Sequence, residues 1–160
     1  MNVSIRSLPR QRVAFRRHVG AYDCCGASWE VFLSEIGALG LLGPGVRLLG
    51  LCHDDPKVTA AERVRYDCCV PVGEDFEPSG EIGVQFVAGG DYAVATHQGP
   101  YDRLGETYDG LIGQWVPRSG RQLRAVPCFE IYLNDPEGSD PEELLTDVYV
   151  PLEAVARGFL

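Results

Sequence analysis

One carboxylate lies in an otherwise apolar stretch of the sequence. In residues 128–133, Cys-Phe-Glu-Ile-Tyr-Leu, the alternation of a β-strand places Glu130 on one face together with Cys128 and Tyr132. A buried carboxylate is costly unless it accepts hydrogen bonds or meets a positive charge. We therefore expect Glu130 either to accept from tyrosine hydroxyls or to receive a cationic ligand. The alternative is an outward-facing glutamate at a sheet edge.

Aromatic residues form a second group that could contact a ligand. Helical and strand spacing predicts that seven of them face the same region as the carboxylate: Tyr22, Trp29, Tyr66, Tyr101, Tyr108, Trp115 and Tyr132. Flat π faces beside an acid are suited to a lipophilic cation. Most aromatic residues at helical spacing belong to a core, so we expect about a third of the seven to contact a ligand.

The cysteines give no indication of a metal site or a cofactor. The six cysteines include the adjacent pairs Cys24-Cys25 and Cys68-Cys69 but no Cys-x-x-Cys spacing. This pattern favours reduced thiols that pack as small buried side chains. A catalytic triad needs a nucleophile beside a histidine, and neither a Gly-x-Ser-x-Gly motif nor an isolated reactive cysteine is placed for that role. We therefore predict no metal and no cofactor.

The sequence contains an internal repeat. The motif His-x-Gly-x-Tyr-Asp begins at His18 and again at His97, 79 positions later, and a second matched block is displaced by 80 positions. The matched histidines stand at predicted strand ends, which favours hydrogen bonds within turns over catalysis. In the second block Glu130 corresponds to Gly50. We expect the missing side chain at Gly50 to leave room for a ligand.

The elements that must position these residues follow the same order in each repeat: a strand, a turn, a helix and two strands. The predicted segments are 12–18, 24–39, 46–52 and 64–72 in the first repeat, and 92–97, 102–115, 128–133 and 147–152 in the second. Further strands are predicted at 3–8 and 82–87. Asp23 and Asp102 are predicted helix N-caps, and Pro117 is predicted to end the second helix.

These elements predict one α+β domain over residues 1–160. Repeat 1 covers about 1–73, repeat 2 about 81–152, and a short tail 153–160. One helix on a short sheet cannot bury both faces of that sheet, so the repeats should pair around a pseudo-two-fold axis. The result is an antiparallel sheet of about eight strands with two main helices. A central cleft is expected where the repeats meet.

Charge and hydropathy exclude several partners. The 160 residues carry a formal net charge of −9, which repels phosphate backbones, so no direct nucleic-acid contact is expected. No apolar run approaches the ~20 residues that cross a bilayer, and the N-terminus has no apolar stretch typical of a signal peptide. We therefore predict a cytoplasmic protein without a membrane partner.

The repeat motif, the segment Phe129-Glu130-Ile131-Tyr132 and the closing Asp-Val-Tyr-Val-Pro-Leu at 147–152 resemble the GyrI-like small-molecule-binding domain. This is the effector-binding domain of AraC-type and MerR-type bacterial regulators such as Rob and BmrR. The resemblance extends from about Val3 to Leu152. It implies two tandem strand-helix-strand-strand units around a cleft, in which an acid at the Glu130 position and the surrounding aromatic residues receive cationic, lipophilic drugs.

The resemblance implies a leading function and two alternatives. The leading function is multidrug or effector binding, with a role in toxin sequestration or resistance. Some stand-alone relatives hydrolyse cyclopropanoid toxins. In that case Glu130 would act as general base or electrostatic stabiliser, while a tyrosine hydroxyl such as that of Tyr108, or a tryptophan N–H, polarises a conjugated carbonyl. A third function is that of a protein-interaction modulator such as a gyrase inhibitor. The given sequence shows no helix-turn-helix ahead of the resemblance, so we expect a transcriptional role to need a separate regulatory protein partner.

Overall fold

A computed structural model describes residues 1–155. It contains one antiparallel sheet of eight strands in the order β1-β6-β8-β7-β3-β4-β2-β5. The strands are β1 Ser4–Leu8, β2 Gln11–Val19, β3 Leu49–Cys52, β4 Arg65–Pro71, β5 Gly83–Val87, β6 Gly90–Gln98, β7 Cys128–Tyr132 and β8 Leu145–Pro151. The predicted α+β class and the eight antiparallel strands are confirmed, and the predicted tail extends beyond the described residues.

Two main helices follow the turns that the repeat motif predicts. Helix α1 is Gly26–Ala38, and helix α2 has three consecutive segments, α-helical Leu104–Tyr108, π-helical Asp109–Trp115 and α-helical Val116–Ser119. Phe32 and Ile36 of α1 are fully buried against the sheet, as is Leu111 of α2. Burial of these side chains stabilises the helices on the sheet by about 1.5–3 kcal/mol for each large apolar residue.

The centre of the sheet joins the two repeats. Strands β3 and β7 pair antiparallel, and the register places Gly50 directly opposite Glu130. The repeats also exchange their first strands, since β1 pairs with β6 and β5 pairs with β2. Each outer strand therefore completes the sheet of the other repeat.

Strand alternation divides the core between the two faces of the sheet. Leu49, Leu51 and Phe129 are buried on the face away from the helices. Tyr66 and Cys68 are buried on the face that carries α1. Because successive residues of a strand point to opposite faces, Glu130 and its neighbours in register lie on the helix side of the sheet.

The predicted helix ends are wrong in two respects. Asp23 and Asp102 make no capping hydrogen bonds because each lies in a short 3-10 turn, and the helices begin a few residues later. Pro117 does not end α2, which continues to Ser119 and ends at Gly120 with φ of 75°. The π-helical turns end just before Pro117, which takes a place in the first turn of the last segment. An amide hydrogen is dispensable there.

Candidate functional site

Glu130 lies at the centre of a hydrogen-bonded cluster on the helix side of the sheet. Its side chain is buried, with 6% of the residue exposed. The Tyr108 hydroxyl donates to Oε2 at 2.7 Å and the Tyr132 hydroxyl donates to Oε1 at 2.8 Å. The Cys52 thiol lies 3.7 Å from Oε2 as a weak third donor. The carboxylate is thus satisfied by neutral groups, in agreement with the expectation of tyrosine donors.

The cluster continues as a chain of donors toward α1. Trp29 Nε1 donates to the Tyr66 hydroxyl at 3.0 Å, and the Tyr66 and Tyr132 hydroxyls are 2.5 Å apart. A hydroxyl has one proton, and Tyr132 gives its proton to Glu130. The Tyr66 hydroxyl must therefore donate to Tyr132, and the chain runs from the Trp29 indole through both tyrosines to Glu130.

The space over Gly50 is filled by hydroxyl groups. A Cβ atom at Gly50 would collide with the hydroxyl oxygens of Tyr66 and Tyr132. The expectation that Gly50 leaves room for a ligand is therefore wrong for this conformation, because the missing side chain gives the two hydroxyls the room to meet. Gly50 is a positioning residue for the tyrosines that hold Glu130.

Aromatic rings surround this cluster edge to face. Trp29 and Tyr132 have ring centroids 5.7 Å apart, and Tyr101 and Tyr132 are 5.5 Å apart. Tyr22 packs edge-on against Tyr66 at 5.9 Å. The structure thus brings together six of the seven aromatic residues that the spacing predicts, counting Tyr108 through its hydrogen bond.

Trp115 lies outside this cluster. It packs against the core under α2. It also borders a shallow surface depression with Met1 and Arg118. The π-helical segment ends at Trp115, and its wider turn changes the direction of the side chain relative to a regular helix. The spacing of a regular α-helix therefore predicted the wrong direction for the Trp115 side chain.

Cys52 belongs to the cluster although sequence reasoning missed it. Its Sγ lies 3.7 Å from the Tyr108 hydroxyl and the same distance from Glu130. Cys128 stands directly opposite it in the β3–β7 register. Alternation from Gly50 places Cys52 on the same face, and this signal could have identified it.

Burial controls the ionisation of the cluster. It raises the pKa of Glu130, and the hydrogen bonds from Tyr108, Tyr132 and Cys52 oppose that rise. Burial also raises the pKa of Tyr108 and Cys52 well above their ordinary values, with Cys52 and Glu130 adding to the rise at Tyr108. The hydroxyls and the thiol therefore stay neutral, and Glu130 is the group of the cluster that titrates at the lowest pH.

The matched histidines hold the turns that precede the helices. His18 Nε2 donates to the backbone oxygen of Ala21 at 3.2 Å, and His97 Nε2 donates to that of Pro100 at 3.1 Å. The Nδ1 atom of His97 lies 2.8 Å from the Thr107 hydroxyl. The prediction that both histidines make turn hydrogen bonds is confirmed.

The cysteine pairs differ in exposure. All six cysteines have free thiols, and Cys68 and Cys69 are fully buried as predicted. Cys24 is exposed instead, because the 3-10 turn that begins at Tyr22 places it on the outside.

Among residues 1–155 there is no cluster of three or more His, Cys, Asp or Glu side chains that could hold a metal ion. No helix in the same range is both long and apolar enough to span a bilayer.

A buried carboxylate, Asp67, has its own set of donors on the opposite face of the sheet. Asp67 accepts hydrogen bonds from Arg17 at 2.9 and 3.0 Å, from His53 at 2.7 Å and from Gln85 at 2.7 Å. Burial acts to raise the pKa of Asp67, but these donors outweigh it and lower that pKa to about 2. The group is fully satisfied within the chain and supports β4 at the centre of the first repeat.

Two known proteins are similar to this chain in sequence. The "Probable transcriptional regulator YgiV" of Escherichia coli K12 is 43% identical over 105 residues, which cover 64% of this chain and 65% of that protein. A "DNA gyrase inhibitor" of Klebsiella pneumoniae strain 342 is 33% identical over 98% of this chain and 99% of its own length.

Solved structures agree on the fold. The C-terminal domain of EcmrR superimposes with a TM-score of 0.75 at 23% identity, over 96% of this chain and 98% of that chain. SAV2435 bound to tetraphenylphosphonium superimposes with a TM-score of 0.63 at 15% identity, over 97% of this chain and 96% of that chain. The family model for the GyrI-like small molecule binding domain matches residues 1–153. The chain therefore belongs to the GyrI-like small-molecule-binding domain family.

Proposed function

We propose that this protein binds lipophilic organic cations, with Glu130 as the counter-charge and the surrounding aromatic rings as the walls of the site. The observation that carries the proposal is that the buried Glu130 carboxyl group has no positively charged partner. Within residues 1–155 its hydrogen bonds come from two hydroxyls and a thiol, and none of the ion pairs includes it. A buried carboxylate with neutral donors alone gains from a cation.

The aromatic rings suit a cation with delocalised charge. The Tyr132 ring lies edge to face with both Trp29 and Tyr101, at centroid distances of 5.7 and 5.5 Å. Ring faces attract such cations by about 0.5–2 kcal/mol per contact when water is excluded. A compact, strongly hydrated ion would lose more hydration on burial, so a lipophilic onium ion is favoured over an alkali metal ion.

The site is closed in this conformation. The tyrosine hydroxyls occupy both carboxylate oxygens and the space above Gly50. A ligand of drug size must therefore displace the Tyr132 ring or its hydrogen bond from Glu130. The cleft between the repeats is proposed as the open form of this cluster, with the Tyr132 hydroxyl standing where the ligand's positive charge would lie.

Titration calorimetry with tetraphenylphosphonium, the cation in the SAV2435 structure, tests the proposal. Wild-type protein should bind it, and Glu130→Gln should bind at least about tenfold more weakly, since truncating one partner of a buried charge pair costs about 2 kcal/mol or more. The Glu77→Gln variant is the matched control, because it removes one exposed carboxylate far along the chain in the linker between the repeats.

Hydrolysis of strained electrophiles is a second candidate function. The observation that favours it is the pairing of a carboxylate of raised pKa with the Tyr108 hydroxyl. In this reaction the Tyr108 hydroxyl would turn its proton from Glu130 to a conjugated carbonyl, and Glu130 would take a proton from water. The water oxygen would bond to a ring carbon as the strained C–C bond breaks, and Glu130 would pass the proton to the enolate carbon that forms. A structural neighbour named as a hydrolase from Listeria innocua shares the fold at 14% identity. Incubation with a carbonyl-conjugated cyclopropane and mass detection of the water adduct tests this candidate, and unchanged substrate would remove it.

Inhibition of DNA gyrase through a protein contact is the third candidate. It is favoured by full-length similarity to relatives that carry the name "DNA gyrase inhibitor". A supercoiling assay with purified gyrase tests it. Supercoiling that is unchanged at a large excess of this protein would remove it. Action through a separate DNA-binding regulator would instead show as co-purification with that regulator.

A further inference from the structure

The two repeats differ in how firmly they hold the loops that lie beside the Glu130 cluster. A loop of residues 53–58 follows β3, and its counterpart of residues 133–138 follows β7; we name them the first loop and the second loop. Both contain Asp-Pro and the same internal turn, in which Asp55 accepts from the Lys57 amide at 2.8 Å and Asp135 accepts from the Glu137 amide at 2.9 Å.

Beyond the contacts of His53 with Asp67 and of Asp54 with Arg65 in the first repeat, two hydrogen bonds tie the first loop to the helices. The Tyr22 hydroxyl, from the turn before α1, donates to the backbone oxygen of Asp54 at 2.6 Å. Lys57 Nζ donates to Asp109 Oδ1 of α2 at 2.6 Å. The first loop therefore bridges the start of α1 to the middle of α2 and covers the cluster from that side.

The second loop has neither tie. Tyr101 is the repeat counterpart of Tyr22, yet its hydroxyl has no hydrogen-bond partner within residues 1–155, and 36% of the residue is exposed. Glu137 and Glu30 are the repeat counterparts of Lys57 and Asp109, so two acids stand where the first repeat has an ion pair. Both glutamates are exposed, and no ion pair of the described range includes either one.

We infer that ligands reach Glu130 under the second loop, past the Tyr101 ring, and that Glu30 and Glu137 are the residues that make this the route of access. This inference rests on the proposed function. Like charges at these two positions prevent the tie that closes the other side. They also place negative potential at the opening, which draws cations toward it and raises their rate of association.

The Tyr101 ring closes the route without a fixed hydrogen bond. It packs edge-on against Tyr132 at 5.5 Å, and Tyr132 donates to Glu130. Rotation of Tyr101 outward would thus uncover the ring that must move when a ligand reaches the carboxylate. The hydrogen bonds that hold the second loop to other elements lie at its start. Arg47 donates to the backbone oxygen of Leu133 at 3.1 Å, and Asn134 Nδ2 donates to that of Glu143 at 2.9 Å.

The charge-reversal variant Glu137→Lys tests the inference because it gives the second loop the pairing of the first. Stopped-flow fluorescence of Trp29 in a Trp115→Phe background follows association of tetraphenylphosphonium. We expect Glu137→Lys to slow association about three- to fivefold, the scale of one exposed ion pair together with the loss of local negative charge. Glu77→Lys makes the same change in net charge away from the site and should leave the rate near that of wild type.

A measurement without ligand separates this inference from the proposed function. Acrylamide quenching of Trp29, again in the Trp115→Phe background, reports the access of a small solute to the cluster. We expect Glu137→Lys to lower the quenching constant while Glu77→Lys leaves it unchanged. Equal quenching constants in the two variants would overturn the inference. Failure of wild-type protein to bind tetraphenylphosphonium would instead overturn the proposed function, and the quenching result would still decide the route of access.

Discussion

Gly50 lies directly opposite Glu130 at the centre of the sheet, where the two repeats join. The pair breaks the pseudo-two-fold symmetry, because one repeat supplies a carboxylate and the other supplies no side chain. The room above Gly50 allows the Tyr66 and Tyr132 hydroxyls to meet, and Tyr132 then donates to Glu130. The asymmetry thus creates one buried acid with an ordered set of neutral donors.

Replacement of Gly50 by alanine should destabilise the protein. The new Cβ would collide with the hydroxyls of Tyr66 and Tyr132, so we expect Gly50→Ala to lower the free energy of unfolding by about 1–3 kcal/mol, the range for overpacking a core. Urea denaturation measures this difference. Gly73→Ala is the matched control, since a Cβ at Gly73 meets nothing within 4 Å. Equal stability of the two variants would contradict the packing described for Gly50.

Binding of a lipophilic cation should strengthen as pH rises. Burial raises the pKa of Glu130 above its ordinary 4.5, so part of the free protein carries a protonated Glu130 at mildly acidic pH. A cation favours the ionised form, and its binding releases a proton. Calorimetry from pH 4.5 upward should therefore show affinity that increases and then levels off above the raised pKa. The Glu130→Gln variant should lose this dependence, and the same slope in both proteins would assign it to another group.

Asp67 should contribute to stability in an acid-sensitive manner. Its pKa is lowered from 3.8 to about 2 in the folded protein, so its contribution is present above pH 3.8 and is lost as pH falls through about 2. We expect Asp67→Asn to cost about 2–3 kcal/mol at neutral pH, because Arg17 and His53 lose a charged acceptor. Urea denaturation of wild type and variant at neutral pH and near pH 2 measures the difference in their free energies of unfolding. A difference in stability that is as large near pH 2 as at neutral pH would contradict the lowered pKa of Asp67.

The exposed ion pair of Lys57 and Asp109 should contribute little to stability. Both side chains are more than half exposed, at 72% and 60%. We therefore expect Asp109→Asn to change the free energy of unfolding by less than about 1 kcal/mol. The same urea denaturation that measures Asp67→Asn provides the comparison. A loss as large as that of Asp67→Asn would show that the first loop supports the fold as well as covering the site.

Much of the fold could be predicted from the sequence because the repeat and the strand alternation are local signals. Predicted strands agree with the observed ones within three residues at each end. The exchange of β1 and β5 between the repeats was not predicted, since strand pairing between distant segments leaves no mark in either segment alone. The prediction that Pro117 ends the second helix is wrong because the π-helical turns before it change which backbone amides need hydrogen-bond partners.

The sequence predicts which residues belong to the candidate site better than it predicts how they contact one another. Alternation correctly grouped Glu130 with Tyr132, and their hydrogen bond follows from that shared face. The closing of the space above Gly50 depends on Tyr66, which reaches it from a neighbouring strand. The length and direction of side chains from three strands decide that contact, and no spacing within one segment encodes it.

The affinity of tetraphenylphosphonium for wild type and Glu130→Gln at neutral pH is the most direct measurement of the central claim. We expect binding to wild type and at least about tenfold weaker binding to the variant, with circular dichroism showing the same fold in both. Equal affinity in the two proteins would contradict the claim that the buried carboxylate at the junction of the repeats receives the cation.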